Sequence, residues 1–186
     1  MRKSQAREKI SDFRWWLDRI IDRQPHAVIQ TQLEDGQEIP QLIRWWLIPR
    51  NRFLNVYLHK IIWDDVDRAL HDHPWWSFSV LLKGTLGEVD LDPLYMDPFD
   101  GTPFEKPLHE MPTRTRFFRP GQIRLRKPDY LHRLVLPGTN KQPAWTLFIT
   151  GPRIRNWGFL CPQGWTIWTK FVERGKDGKM RGCGED

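Results

Sequence analysis

From Ser11 to Arg23 the apolar residues Phe13, Trp16, Leu17, Ile20 and Ile21 recur at steps of three and four, the spacing of one helical face. An N-terminal amphipathic helix is predicted there, with Asp12, Arg14, Asp18 and Arg19 on its polar side. After Pro25 the pattern changes to short runs rich in Ile, Val, Leu, Trp and Phe, separated by Pro, Gly, Asn and Asp. The runs predict strands at Leu42–Ile48, Phe53–Trp63, Trp75–Leu82, Thr85–Leu91, Thr115–Phe118, Gln122–Arg126, His132–Leu136, Ala144–Thr150 and Trp157–Leu160. With no helical period between them, they indicate an all-β sandwich or closed barrel. Asp92–Pro112 is proline-rich and aperiodic and reads as a long loop; from Glu173 onward no apolar pattern remains. The expected organisation is a helix and linker over 1–37, a barrel over 38–172 and a flexible tail over 173–186.

Composition narrows the picture. A chain of 186 residues is of single-domain length, and 11 Trp with 10 Phe supply ample core material. No window approaches the roughly 18 apolar residues of a membrane span, and the first residues lack the apolar core of a secretion signal, so a cytoplasmic location is expected. Cys161 and Cys183 are the only cysteines, and the second lies in a Gly/Lys-rich stretch where nothing in the sequence holds it. No disulfide is expected, in keeping with a reducing compartment. A formal charge of +6 favours anionic partners. For nucleic acid there is no helix-turn-helix, RNP-type or zinc-finger pattern.

Candidate chemistry concentrates in His71-Asp72-His73-Pro74-Trp75-Trp76-Ser77, which runs on to Gly84. In an extended segment side chains alternate, so His71 and His73 project from one face about 6 to 7 Å apart, within reach of one ion. A third ligand must come from elsewhere. His132 is the candidate, at the entry of another apolar run after the turn Arg119-Pro120-Gly121. The alternative is a pair of histidines hydrogen-bonded at a rim. His26, His59 and His109 fit no such frame and read as ordinary polar residues.

These residues resemble the two motifs of the cupin superfamily. The first motif reads His-x-His, three residues, Glu, six residues, Gly; here His71, His73, Ser77 and Gly84 stand at those positions, with Ser in place of Glu. The second reads Gly, five residues, Pro-x-Gly, two residues, His; Gly121, Pro128 and His132 follow it with one residue more early and one fewer late, and Tyr130 lies near where the second Gly would be. The resemblance covers about Asp64 to Leu136. It implies a double-stranded β-helix, or jelly-roll, barrel and one divalent metal held by His71, His73 and His132. Fe is the first choice, with Mn, Ni, Co or Zn compatible with three neutral imidazoles. Ile149–Trp165 also resembles small cupin-like proteins of phage and bacteria, which implies no chemistry.

Other residues follow from the strands themselves. If Lys83-Gly84 tips a tight hairpin, Ser79 pairs with Glu88 and Ser77 with Asp90, which turns both carboxylates toward the histidine face. A slip of one residue reverses that. Glu88 is then a ligand or acid/base and Asp90 a pocket residue, unless each is held by an inward Arg. Arg124 and Arg126 alternate with Ile123 and Leu125. Packing of the apolar pair, the expected arrangement, sends both arginines to solvent; the opposite packing makes an Arg a clamp for carboxylate or phosphate. Trp75 and Ser77, on the histidine face, are assigned to a substrate pocket, and Tyr130, beside His132, to an acid/base role.

Three functions are compatible with these residues. The first is a metal-dependent oxygenase or dioxygenase acting on a small, possibly anionic organic molecule. A sugar-phosphate isomerase or epimerase would instead need Glu88 or Tyr130 as its base. A non-catalytic cupin would act as a sensor or phage accessory protein that binds a small molecule, host protein or nucleic acid. The pairs Trp15-Trp16 and Trp45-Trp46 offer apolar surface for a homodimer.

Overall fold

The computed structural model describes residues 19–20, 22, 24–33, 36–65, 69–95, 110–175 and 180–184. Among them are eleven strands: β1 (Ala27–Gln32), β2 (Glu38–Trp46), β3 (Asn55–Ile61), β4 (Ser77–Lys83), β5 (Leu86–Leu91), β6 (Thr113–Phe118), β7 (Ile123–Arg126), β8 (His132–Val135), β9 (Ala144–Thr150), β10 (Gly158–Cys161) and β11 (Gly164–Ile167). A single helical turn, α1 (Trp168–Phe171), follows the last strand. The predicted N-terminal helix lies outside the described residues except at Arg19, Ile20 and Asp22, and most of the Asp92–Pro112 loop lies outside them too.

Two sheets form. The larger has the order β1-β2-β3-β9-β4-β7 and the smaller β6-β5-β8. The smaller is extended by the segment at His71, which bridges His132 of β8 on one side and Phe159 of β10 on the other. From β3 onward the chain steps between sheets: β3, the His71 segment, β4, then β5 with β6, then β7, β8 and β9. That alternation is the jelly-roll wrapping. Ile61, Leu81 and Ala144 of the larger sheet pack on Leu86, Phe118 and Leu136 of the smaller side, so the two sheets face each other across one core.

The hairpin expected at Lys83-Gly84 is corrected. β4 is paired on both edges, with β9 and with β7, while β5 pairs with β6 and β8 in the other sheet. Gly84 therefore turns a corner between sheets rather than capping a ladder. It has φ +85°, and a Cβ there would meet Pro143 O at 2.7 Å, so both the backbone angle and the close approach require glycine.

Arg124 and Arg126 are also placed opposite to expectation. Ile123 and Leu125 are 52% and 70% exposed on the outer face, while Arg126 is 6% exposed and points inward. Alternation along β7 gives two faces but not which is inner, and the carboxylates of the facing sheet decide it. The cysteine expectation is overturned as well, because Cys161 and Cys183 form a disulfide. The sequence shows no anchor for the tail, yet Gly182 N–H donates to Phe171 O, Arg181 N–H to Glu173 O, and Gln163 to the carbonyl of Cys183. Among the described residues no helix is long and apolar enough to cross a membrane.

Candidate metal centre

Backbone bonds on both sides hold the His71–His73 segment extended. His71 and His132 exchange N–H···O bonds at 2.9 Å in each direction, Asp72 N–H donates to Gly158 O at 3.0 Å, and His73 N–H to Pro128 O at 2.9 Å. Alternation then puts His71 and His73 on one face and Asp72 on the other. Asp72, 2% exposed, accepts from Gly158 N at 2.7 Å, Trp165 Nε1 at 3.0 Å and Arg155 at 2.5 Å. It ties the segment between the two histidines to β10 and β11.

The three imidazoles meet inside the barrel. The ring centroids of His71, His73 and His132 are pairwise 5.1 Å apart. One nitrogen from each lies within 4.8 Å of the others, and His73 Nε2 stands 2.9 Å from His132 Nε2. Metal–imidazole bonds of about 2.05 Å put two nitrogens roughly 2.9 Å apart at a right angle and roughly 3.4 Å apart in a tetrahedron. The His73–His132 pair is thus already at bridging distance, with the His71 nitrogen no more than 4.8 Å from either. Among the described residues this is the one grouping of metal-ligating side chains.

Glu88 stands behind the histidines rather than among the ligand atoms. Its Oε1 is 2.6 Å from His132 Nδ1 and 2.5 Å from Arg126 Nε, and the side chain is 1% exposed. Burial alone would raise its pKa, but the hydrogen bond from His132 and the charge of Arg126 outweigh it and hold the carboxyl at about 2. Since Glu88 is ionised, neutral His132 carries its proton on Nδ1, which leaves the Nε2 lone pair facing the centre. Burial first, and the charge of Arg126 among other effects, lower His132 to about 4 despite Glu88. His73 is pushed well below the usual histidine range by burial, then by His132, His71, Arg126 and Arg44. Both rings are therefore neutral ligands at neutral pH. His71 Nδ1 has Asp65 Oδ2 at 4.0 Å, beyond direct hydrogen bonding.

Asp90 is held by cations. It accepts from Arg114 Nε at 3.1 Å, Arg116 Nη2 at 2.7 Å and the Tyr130 hydroxyl at 2.6 Å. Burial, then Glu88 and the hydrogen bond to Asp90, raise the Tyr130 pKa, so the phenol stays protonated. Trp75 stacks on His73 with centroids 6.2 Å apart, and its Nε1 is buried without a partner. Ser77, 3% exposed on the inner face, likewise has an unpartnered hydroxyl.

Asp72 and Arg126 are contributors that the sequence reading does not assign to the site. Asp72 was hidden between two more conspicuous residues, and Arg126 was assigned to solvent. Trp157 approaches His73 with centroids 6.4 Å apart at 24° and is one wall of the centre. Of the histidines read as ordinary, His26 accepts from Trp46 N–H at the surface, His59 is buried against Arg44, and His109 lies outside the described residues.

No protein-family model matches the chain, and no curated protein matches it. Solved structures do. Hydroxypropylphosphonic acid epoxidase from S. wedmorenis matches over 69% of this chain and 57% of its own, at 11% identity and TM-score 0.43. DMSP lyase DddQ from Ruegeria pomeroyi DSS-3 matches over 74% and 63%, at 14% identity and TM-score 0.42. An uncharacterized conserved protein with a double-stranded β-helix domain from Klebsiella pneumoniae matches over 69% and 84%, at 12% identity and TM-score 0.41. The chain thus spans less than three-fifths of the epoxidase. At such identities and scores the likenesses bring no activity, substrate or metal to this chain.

Proposed function

We propose that His71, His73 and His132 hold one divalent metal ion, Fe(II) by preference, in a cupin-type barrel that acts as an oxygenase- or dioxygenase-like enzyme on a small organic anion. The observation that carries the reading is the convergence of three imidazoles on one point, with His132 fixed by a buried, ionised carboxylate. An ion bound there supplies Lewis acidity, redox chemistry and open coordination positions.

The surrounding residues favour an anion. Three neutral rings leave the charge of a dication uncompensated, and Glu88, the nearest carboxylate, is already neutralised by Arg126. A negatively charged substrate completes the balance. Glu88 serves best as a positioning residue, since both its proton affinity and its geometry are committed to His132 and Arg126. Tyr130, protonated and bonded to Asp90, is suited to hold the pocket wall rather than to abstract a proton.

The test is titration of metal-stripped protein with Co(II), followed by its visible bands, beside His71→Ala, His73→Ala and His132→Ala. One equivalent is expected to bind the parent protein, with each variant weakened at least a hundredfold while the far-UV spectrum remains that of a β-protein. Parent protein that binds no Co(II) or Fe(II) at 1:1 would refute the metal reading. Nitric oxide added to Fe(II)-loaded protein then probes open positions; the absence of a high-spin nitrosyl signal would remove the oxygenase part alone.

A further inference from the structure

Among the described residues, the inner face of the larger sheet carries a cation with no paired anion. Leu42 packs against the interior cluster, and Arg44, two residues along β2, shares its face. In register with His59 of β3, Arg44 donates from Nε to His59 Nε2 at 2.9 Å, and its guanidinium carbon lies 4.7 Å over the ring of Tyr57. His59 is itself fixed: it is 5% exposed and stacked on Phe148 with centroids 5.0 Å apart. The guanidinium is thus oriented through one nitrogen and one face. Among the described residues its two terminal nitrogens make no hydrogen bond and no carboxylate pairs with it.

The contrast with the other interior arginines is sharp. Arg114, Arg116 and Arg126 each sit on Asp90 or Glu88, and Arg124 has Glu88 Oε2 at 3.9 Å. A largely buried cation without a counter-ion is costly, and burial does lower the pKa of Arg44. Its direction is informative as well. The interior is apolar at the end marked by Ile61, Leu86 and Leu136 and polar at the end marked by His132 and Asp90. Tyr57 lies on the side of His59 away from Ile61, so Arg44 leans toward the histidines, and its charge is felt at His73.

We propose that Arg44 receives the acid group of the substrate, so that the barrel takes a small organic acid, its carboxylate or isosteric sulfonate or phosphonate held by the free edge of the Arg44 fork. A planar fork with two free N–H₂ groups matches an oxyanion in two parallel hydrogen bonds. The inference deepens the enzyme reading above and rests on it for the reacting end of the molecule.

The test is made on metal-free protein, where the ion cannot bind the probe, with acetate and methanesulfonate titrated by calorimetry and amide NMR. Both are expected to bind saturably, with half-saturation raised at least tenfold in Arg44→Gln and only partly restored in Arg44→Lys. Co(II) uptake of Arg44→Gln is expected to stay within threefold of the parent. Parent protein that binds neither anion, or Arg44→Gln that binds both as the parent does, overturns the assignment. Loss of Co(II) uptake in the parent would instead sink the metal reading and leave the anion result standing by itself. If Arg44→Gln does not fold, the parent crystal soaked in selenate decides: anomalous density at the Arg44 terminal nitrogens supports the assignment, and density only elsewhere overturns it.

Discussion

Replacing Glu88 with Gln keeps the shape of the side chain and removes one charge. In the parent that charge is buried between His132 Nδ1 at 2.6 Å and Arg126 Nε at 2.5 Å, and Arg126 is itself 6% exposed. A buried pair broken on one side typically costs about 3 to 5 kcal/mol, because the remaining charge stays buried. The pKa gives an independent figure: a fall from 4.5 to about 2, at about 1.36 kcal/mol per pH unit, is on the order of 3 kcal/mol. The sign is set by the depression. A carboxyl whose folded pKa lies below its unfolded value stabilises the fold fully above pH 4.5, and that stabilisation is lost as pH falls toward 2. His132, depressed to about 4, adds a loss of its own between pH 6.5 and about 4, where the unfolded chain takes up a proton that the folded one refuses. Metal-free parent and Glu88→Gln should therefore differ by about 3 kcal/mol in urea unfolding at pH 7, and the gap should narrow steadily below pH 4.5. A gap under about 0.5 kcal/mol at pH 7, or one that is equally large at pH 3, would refute an ionised Glu88 at the centre of this network. In the same variant Co(II) affinity should fall about 10- to 100-fold, since the ring is no longer locked in one tautomer.

Three further expectations concern the scaffold. Asp72→Ala strands the N–H groups of Gly158 and Trp165 and should cost about 2 to 5 kcal/mol in chemical unfolding; Co(II) affinity should drop with it, because His71 and His73 flank the anchor. Gly84→Ala places a methyl 2.7 Å from Pro143 O at φ +85° and should destabilise by more than about 1 to 2 kcal/mol, the scale of left-handed strain for a residue with a side chain, measured as a lowered Tm. Reducing the Cys161–Cys183 bridge, which spans 22 residues, should cost about 3 kcal/mol by loss of chain restriction, and Cys183→Ser should show the same loss without reductant.

How much of this was legible in the sequence depended on how local the cause was. His71 and His73 share a face because of a two-residue period that needs no tertiary knowledge, and the strand runs follow from the same kind of pattern. Gly84 was visible as a turn residue, but its neighbour across the turn was not, since a tight hairpin and a corner between sheets have the same local chemistry. The inward placement of Arg126 could not be read from β7 alone: Ile123 and Leu125 look like a core stripe until the opposite sheet presents Glu88. The bridge between Cys161 and Cys183 depends on a tail docked through backbone bonds at Phe171 and Glu173, which no side-chain pattern announces. Arg44 and His59 lie 15 residues apart and become partners only through the β2–β3 register. Strand β1 was missed because its outer positions are largely exposed and its sequence AVIQTQ is short and half polar.

The division of the interior explains how such a polar centre is tolerated. At one end Ile61, Leu81, Leu86, Phe118, Leu136 and Ala144 form a continuous apolar layer between the sheets, and burying each large side chain contributes roughly 1.5 to 3 kcal/mol. At the other end Ser77, Glu88, Asp90 and His132 stand two to four residues from Leu81, Leu86 and Leu136, and Arg126 joins them from β7, all at least nine-tenths buried. Such groups cost free energy when unpaired, yet Ser77 Oγ and Glu88 Oε2 are buried with no hydrogen bond. For Glu88 Oε2 the shortfall is softened by Arg124 and Arg116 at 3.9 and 4.0 Å, close enough for attraction but not for a bond. A fold selected only for stability would fill this end with hydrocarbon, as it does the other, since replacing buried ion pairs by apolar groups is often neutral or stabilising. The retained polar end is therefore best accounted for by the histidine centre it supports, where Glu88, itself held by Arg126, fixes the His132 ring.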